Sequence, residues 1–303
     1  MTITQIIAKI NWLVFGDSTP PTSVTTHMTG VDEEFIADIH RQIQIEWDYW
    51  FMEILDTLAI TTPTQSYALP SRFKRELSLY ITNAQSTYEP PLQRLMRSQA
   101  EVTFTDPAGT AVYPTHYEIF GATTPMKLWP KPSSNSTLNR RYYAFLQPPV
   151  RGTVTMTLAT PCVVTLTSHG FTGGEQIFFT TTGALPTGLS ANTTYWVTVV
   201  TGNTFKISSS YANYVAGTFI ASSVAQSGVH TMETVEDTLT NDHPYVIIYK
   251  AALVLAINLD YQQKIPVFSQ LYSEALNVLR VRDWEYKYGG DSGGLNKTDF
   301  EGF

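Results

Sequence analysis

Residues 4–15 place Ile6, Ile7, Ile10, Leu13 and Val14 on one face at helical spacing, which predicts a short amphipathic helix. Gly16 to Gly30 is rich in Thr and Pro and reads as a loop. The strongest pattern follows. Phe35, Ile36, Ile39, Ile43, Trp47, Trp50, Ile54 and Leu58 recur every three or four residues, and this stripe predicts one continuous helix over 31–58. Asp32, Glu33 and Glu34 fall in its first turn, where the helix dipole favours anions. From residue 61 the period drops to two. Segments 65–69, 76–82, 101–105, 117–120, 126–129 and 140–146 predict strands, punctuated by Pro, Asn and Gly. Within this region Pro90 and Pro91, followed by Leu92 to Arg97, predict a helical turn or two.

A second shift comes at about residue 151. Over 151–231 the only charged side chains are Arg151, Glu175 and Lys206, and Thr, Ser, Gly and Val dominate. Short alternating runs are separated by Gly173-Gly174, Gly183, Pro186, Gly202-Asn203 and Gly217, the signature of a small all-β module. Helical periodicity returns at 243. Pro244 suits a first turn, and Val246 to Leu259 is apolar all round, as a buried helix would be. A further helix is predicted from Pro266 to Tyr288, with Phe268, Leu271, Tyr272, Ala275, Leu276 and Leu279 as its stripe and Gly289-Gly290 as its stop. The Gly-rich residues 289–303 predict a flexible tail. The expected fold is α+β. A discontinuous core of helices and antiparallel sheet, 1–150 with 232–288, carries an inserted small all-β barrel over 151–231.

Composition narrows the function. Of 303 residues 43% are hydrophobic, ample for a buried core, while only 15% are charged, against about 25% in an average soluble domain. The predicted helix 31–58 holds eight acids and one base, so the chain's net charge of -7 is concentrated there. That balance argues against a general nucleic-acid binder, which needs clustered Lys and Arg to displace counterions. One cysteine, Cys162, allows no internal disulfide and no Cys-based metal site. The six histidines are scattered without the His-x-x-x-His or His-Glu-x-x-His spacing of zinc sites, so no metal or cofactor is expected. No apolar run reaches the roughly 18 residues that would cross a bilayer, and Met1 to Phe15 lacks a signal-peptide cleavage pattern. Assembly in a cytoplasm is the expectation.

Three stretches taken in order carry a family resemblance: SYALPSRFKRELSLYI after the acidic segment, MKLWPKPSSNSTLNRRYYAFLQPP, and the closing pair HPYVIIYKAALVLAINL and VFSQLYSEALNVLRVRDWEY. Together they resemble tailed-phage head–tail adaptor (connector) proteins, over about 31–150 and 235–288. A second unit, TPCVVTLTSHGFTGGEQIFFTTTGALPTGL followed by TTYWVTVVTGNTFKIS, resembles the small β-barrel of ubiquitin-activating enzymes and phage virion proteins. The marks are the His169-Gly170-Phe171 turn, the Gly173-Gly174 corner and the Asn203-Thr204-Phe205 strand start. The first resemblance implies a structural virion protein. It would form a homo-oligomeric ring, commonly of twelve copies, and would bind the portal protein above and a tail or nozzle protein below. DNA would pass only as cargo, and no membrane is involved.

Two site expectations accompany this reading. Leu295, Phe300 and Phe303 supply spaced apolar anchors for a portal groove. Glu34, Asp38, Asp48 and Glu53 offer an acidic face that, repeated round a ring, would line a channel and repel DNA phosphates. The alternative is a tail or baseplate protein whose β-module binds a host glycan on an exposed pair, Tyr195 and Trp196. Two hydrolase-like motifs are read as decoys. Gly290-Asp291-Ser292-Gly293-Gly294 has too little chain after it, and no base histidine in a trypsin-like setting. Gly16-Asp17-Ser18 with His243-Pro244 mimics an esterase, but Thr240 stands where that family needs an Asp. The stripe Trp47, Trp50 and Phe51 reads as core. The chain is expected to be no enzyme.

Overall fold

The computed structural model describes residues 1–17, 33–70, 72–82, 90–96, 99, 102–104, 109–120 and 126–288. The chain divides into two compact units, Met1–Trp47 with Gln147–Phe303, and Asp48–Leu146.

The first unit contains the helices. Helix α1 (Ile3–Phe15) starts at a reciprocal cap between Thr2 and Gln5, and ends where Gly16, at φ 77°, donates its N–H to the Trp12 carbonyl. It buries Ile3, Ile6, Ile10 and Val14. Helix α2 spans Glu33–Glu46 and buries Ile36, Ile39 and Ile43. The short α4 (Thr238–Asn241) leads into α5 (Pro244–Asn258), with proline in its first turn, and then α6 (Ile265–Tyr288). Helices α1, α2, α4 and α6 all pack on α5. Most of its apolar surface therefore has partners, with Val246, Ile247, Ile248 and Leu255 buried, and Ala251, Ala252 and Ala256 let neighbouring backbones come close. Both C-terminal helices agree with the sequence pattern.

The same unit holds a six-stranded sheet of order β10 (Arg151–Met156), β11 (Val163–Thr165), β14 (Thr204–Ser208), β13 (Tyr195–Thr201), β12 (Gln176–Thr181) and β15 (His230–Thr234). The pairing closes on itself, because β15 also pairs with β10 through Gly152–Met232 and Val154–His230. Alternate residues point inward. Val154, Val164, Ile177, Phe179, Val197, Phe205, Ile207 and Met232 form one core with the buried Cys162. A short helix α3 (Tyr211–Val215) packs on β13 and β14. The shifts in composition near 151 and 231 coincide with β10 and β15. The division into units falls elsewhere, at 47/48 and 146/147.

The second unit is built of sheets. Strands β1 (Glu53–Ile60), β9 (Ser136–Ala144) and β3 (Phe73–Thr82) form an antiparallel sheet with β9 in the middle. Strands β2 (Ser66–Tyr67), β7 (Met126–Trp129), β6 (His116–Ile119) and β4 (Gln93–Arg94) form another. β5 (Thr110–Ala111) pairs with β8 (Lys131–Pro132). Ile60, Leu79, Ile81 and Leu138 from the first sheet share a core with Tyr67, Tyr117, Met126 and Leu128 of the second.

Three sequence expectations are corrected here. The helix expected over 31–58 ends at Glu46. After a single 3-10 turn at Trp50–Met52 the chain becomes strand β1, in unbroken register with β9 from Glu53–Tyr143 to Ile60–Ser136. Eight consecutive cross-strand pairs outweigh a helical period that a short apolar run fits equally well. The helical turn expected over 92–97 is instead β4, held parallel to β6 by Gln93–His116 and Arg94–Tyr117. In the strand expected over 101–105, Val102 and Thr103 are helical, and the ends lie outside the described residues. Nearly all of the 16–30 loop and all of the 289–303 tail also lie outside them.

Candidate interaction surfaces

The best candidate for catalysis on first inspection is a histidine–carboxylate pair. His40 on α2 places Nε2 2.8 Å from Asp237 Oδ2, in the cap of α4. The Gln44 amide nitrogen sits 2.8 Å from His40 Nδ1. A donor at Nδ1 leaves Nε2 as the protonated nitrogen facing Asp237. Burial pushes the Asp237 carboxyl upward. The adjacent His40 ring and the Thr240 amide and hydroxyl overcome that push and hold it below the ordinary carboxylate value. Both ring nitrogens are thus engaged and His40 is only 1% exposed, so no nitrogen is available to activate a nucleophile. The pair ties α2 to α4.

The esterase-like arrangement dissolves for a related reason. Thr240 Oγ1 donates to the Asp237 carbonyl and completes the α4 cap, and does not serve His243. His243 is buried, and burial together with Arg282 pushes its ring below the usual histidine value. Ser18 and Ser292 both lie outside the described residues. In the closed sheet, His169 accepts from the Phe171 amide at Nδ1 and places Nε2 3.0 Å from the Thr201 carbonyl, with its ring stacked on Phe171. Buried Glu175 accepts from the Thr172 amide and hydroxyl and from the Gly173 amide. These bonds, with Gly170, Gly173 and Gly174 all at positive φ, explain the His-Gly-Phe-Thr-Gly-Gly-Glu string as turn chemistry. Among the described residues no group of His, Cys, Asp or Glu could hold a metal ion. A depression lined by Met1, Gln147, Glu233 and Asp237 has room for little more than a water molecule.

The acidic stretch does not lie on one helix. Glu34 and Asp38 are exposed on α2. Asp48 and Glu53 belong to the other unit, and each is bound to bases. Asp48 meets Lys74 at 2.8 Å and also Arg75, while Glu53 meets Arg141. Burial pushes the Asp48 carboxyl upward, but Lys74 and Arg75 prevail and lower it. Asp56 takes two parallel bonds of 2.7 Å from Arg140 Nε and Nη2, and Tyr142 donates to it at 3.2 Å. Glu46, the last residue of α2, pairs with Lys250 of α5 and accepts from Tyr272 at 3.1 Å.

The glycan platform also fails as drawn. Tyr195 is 3% exposed, and its hydroxyl accepts from the Ser190 amide at 2.8 Å; only Trp196 reaches the surface, half-buried. Successive strand residues point to opposite faces, so adjacent aromatics cannot share one. Trp47, expected in the core, is 46% exposed, donates to Asp283 at 2.8 Å and lies under Arg280. The portal anchors Leu295, Phe300 and Phe303 fall outside the described residues.

What the sequence reading missed are exposed apolar side chains on rigid elements. Val267, Val278, Tyr286 and Tyr288 of α6 are each more than half exposed, and so are Trp12 of α1, Ile45 of α2 and Leu55 of β1. The signal was present in α6, where Val267, Val278 and Val281 continue at helical spacing beside the buried stripe.

Among the described residues, His40, His169, Glu175 and Asp237 serve caps, turns and helix contacts, and apolar side chains stand exposed on α1, α2, α6 and β1. The particular assembly follows from the chain's relatives. The family model described as SU10 adaptor protein matches residues 1–167, more than half of the chain. The chain belongs to that family and is a structural adaptor of a bacteriophage virion. No curated protein matches it. The matched stretch takes in α1, α2, the whole 48–146 unit and the first two strands of the closed sheet. Among the described residues no helix is long and apolar enough to cross a membrane.

Proposed function

We propose that the protein forms a ring at the head–tail junction, joining the portal protein above to a tail or nozzle protein below, with DNA passing through its centre. The observation that carries this reading is the adaptor-family match over 1–167. A buried helical hub at α5, surrounded by helices with exposed valines and tyrosines, is the kind of rigid surface on which such contacts are made. Twelve copies is the number the family resemblance suggests. In this reading the protein assembles in the host cytoplasm and performs no catalysis. Leu295, Phe300 and Phe303 remain its proposed portal anchors, and Glu34 and Asp38 its exposed candidates for a channel wall. We read the closed sheet as an inserted small barrel, with a core separate from that of the helices.

Imaging of the purified chain mixed with portal tests the proposal. Rings seated on the portal are expected, and truncation after Tyr288 should weaken that seating while leaving the fold intact. A chain that fails to bind portal, or that binds only along the tail, would sink the reading.

A further inference from the structure

We infer that the outer side of α6 docks a basic amphipathic helix of a different protein, one with apolar residues at heptad spacing and two bases about eleven residues apart. It rests on the adaptor reading above for the presence of a neighbouring protein. Helix α6 turns Phe268, Leu276, Leu279 and Asp283 inward and packs on α5. On its other side Leu271, Glu274, Val278, Val281, Glu285 and Tyr288 follow in alternate steps of three and four, and Val267 opens the series.

That spacing selects a helix as the occupant. Alternate steps of three and four are the coiled-coil repeat, which keeps one seam facing a partner helix. A straight helix drifts away from this repeat, so a seam that keeps it from Val267 to Tyr288 stays in contact only with a second helix winding round it. The seam is apolar and open: Val267, Val278 and Tyr288 are 54%, 57% and 70% exposed. The α5 contact uses the inward side of α6 and leaves this one uncovered.

Charge selects which helix. Glu274 and Glu285 stand exposed within the seam. The third acid of α6, Asp283, faces inward and takes bonds of 2.8 Å from Trp47 and Lys287. Glu274 accepts from the Gln270 amide at 3.0 Å, and among the described residues neither glutamate is ion-paired. The two stand about 16 Å apart along the axis, so a complementary helix needs two bases at the same interval. Among the described residues no helix of this chain has them. Helices α1, α2 and α5 carry one Lys or Arg each, Lys9, Arg41 and Lys250, and those of α6 are Arg280, Arg282 and Lys287. Two copies of α6 would set Glu274 on Glu274 in parallel, or Glu274 on Glu285 when antiparallel about the centre of the seam. A second copy is therefore the wrong occupant by charge, and the partner is a different protein.

The test uses the full chain and a synthetic helical peptide with leucines at heptad spacing and two lysines about eleven residues apart. A second peptide carries glutamates in place of the lysines. The lysine peptide is expected to bind about tenfold more tightly than the glutamate peptide, and Glu274→Lys combined with Glu285→Lys should reverse that order. Val278→Asp, at an exposed position, should abolish binding of the lysine peptide without changing the melting profile. In a second arm Val278 is replaced by a photoreactive benzophenone amino acid in the chain seated on portal, and an adduct with a base-bearing helix of another protein is expected. Equal binding of the two peptides, binding that survives Val278→Asp, an adduct between two copies of the chain, or no adduct from a seated chain would overturn the inference and leave the proposed function standing. A chain never found on portal would remove the proposed function, and the peptides would still decide the inference.

Discussion

The closed sheet of 151–234 and the open sheet β1-β9-β3 solve the same problem differently. Each must satisfy its backbone and bury one face. The closed sheet does so by pairing every strand on both sides, and needs only three charged side chains over 151–231. It can afford a bland Thr- and Ser-rich surface because it presents no edge to another chain. The open sheet has two edges and is laced with ion pairs: Asp56–Arg140, Glu53–Arg141, Glu76–Arg94 and Asp48 with Lys74. Its specificity is electrostatic, and the closed sheet's is packing. The lesson is that a low charge content reads as closure, and a charge-rich strand trio as an open sheet whose strands are matched by ion pairs.

That contrast can be broken most severely in the closed core. Phe205 is fully buried and packs edge-on against Phe171 and His169. Phe205→Ala should cost about 3–5 kcal/mol in urea unfolding. The 48–146 unit should keep its own transition. A single shared transition that shifts as a whole would show that the two regions are not energetically separate.

A smaller effect is expected from charge. Arg140 is mostly buried and holds Asp56 through Nε and Nη2, so Arg140→Ala should cost about 2–3 kcal/mol, chiefly by stranding the carboxylate. The matching change in the closed sheet, Arg151→Ala, removes a 4.0 Å contact to Glu233 at a more exposed position and should cost under about 0.5 kcal/mol. Equal losses at the two sites would erase the proposed distinction. Between these lies Gly174→Ala. Gly174 sits at φ 86°, and an added Cβ would approach the Tyr214 hydroxyl to 3.3 Å. A loss of about 1–2 kcal/mol is expected, from backbone strain more than from the contact.

The smallest effect is a dependence on acid. Asp48 has its folded pKa lowered by Lys74 and Arg75 against the opposing push of burial. A lowered folded pKa adds stability that is fully present above the unfolded value of about 3.9 and is lost as pH falls through the folded value. Asp48→Asn should therefore flatten the fall in stability below about pH 4, and the wild-type slope should shrink in high salt. An unchanged acid slope in the variant would show that this cluster is solvated and contributes nothing.

Local rules made much of the molecule legible in the sequence. Helices α1, α5 and α6 follow from apolar spacing, a Pro in the first turn and a Gly cap, all set by neighbours within a few residues. The turn from His169 to Glu175 is legible for the same reason, since its glycines and its acid act within seven positions of one another. Tertiary structure decided the rest. Residues 53–60 carry an apolar spacing that fits a helix and a strand alike, and β9, more than seventy positions later, settles the matter with eight paired residues. The acidic run then divides between two units instead of lining one helix. His40 finds Asp237 at a separation of 197 residues, and Tyr195 turns inward because its strand alternates within a closed sheet. Such pairings depend on loop closure and burial over long separations, for which a window of neighbouring residues carries no energy difference to read.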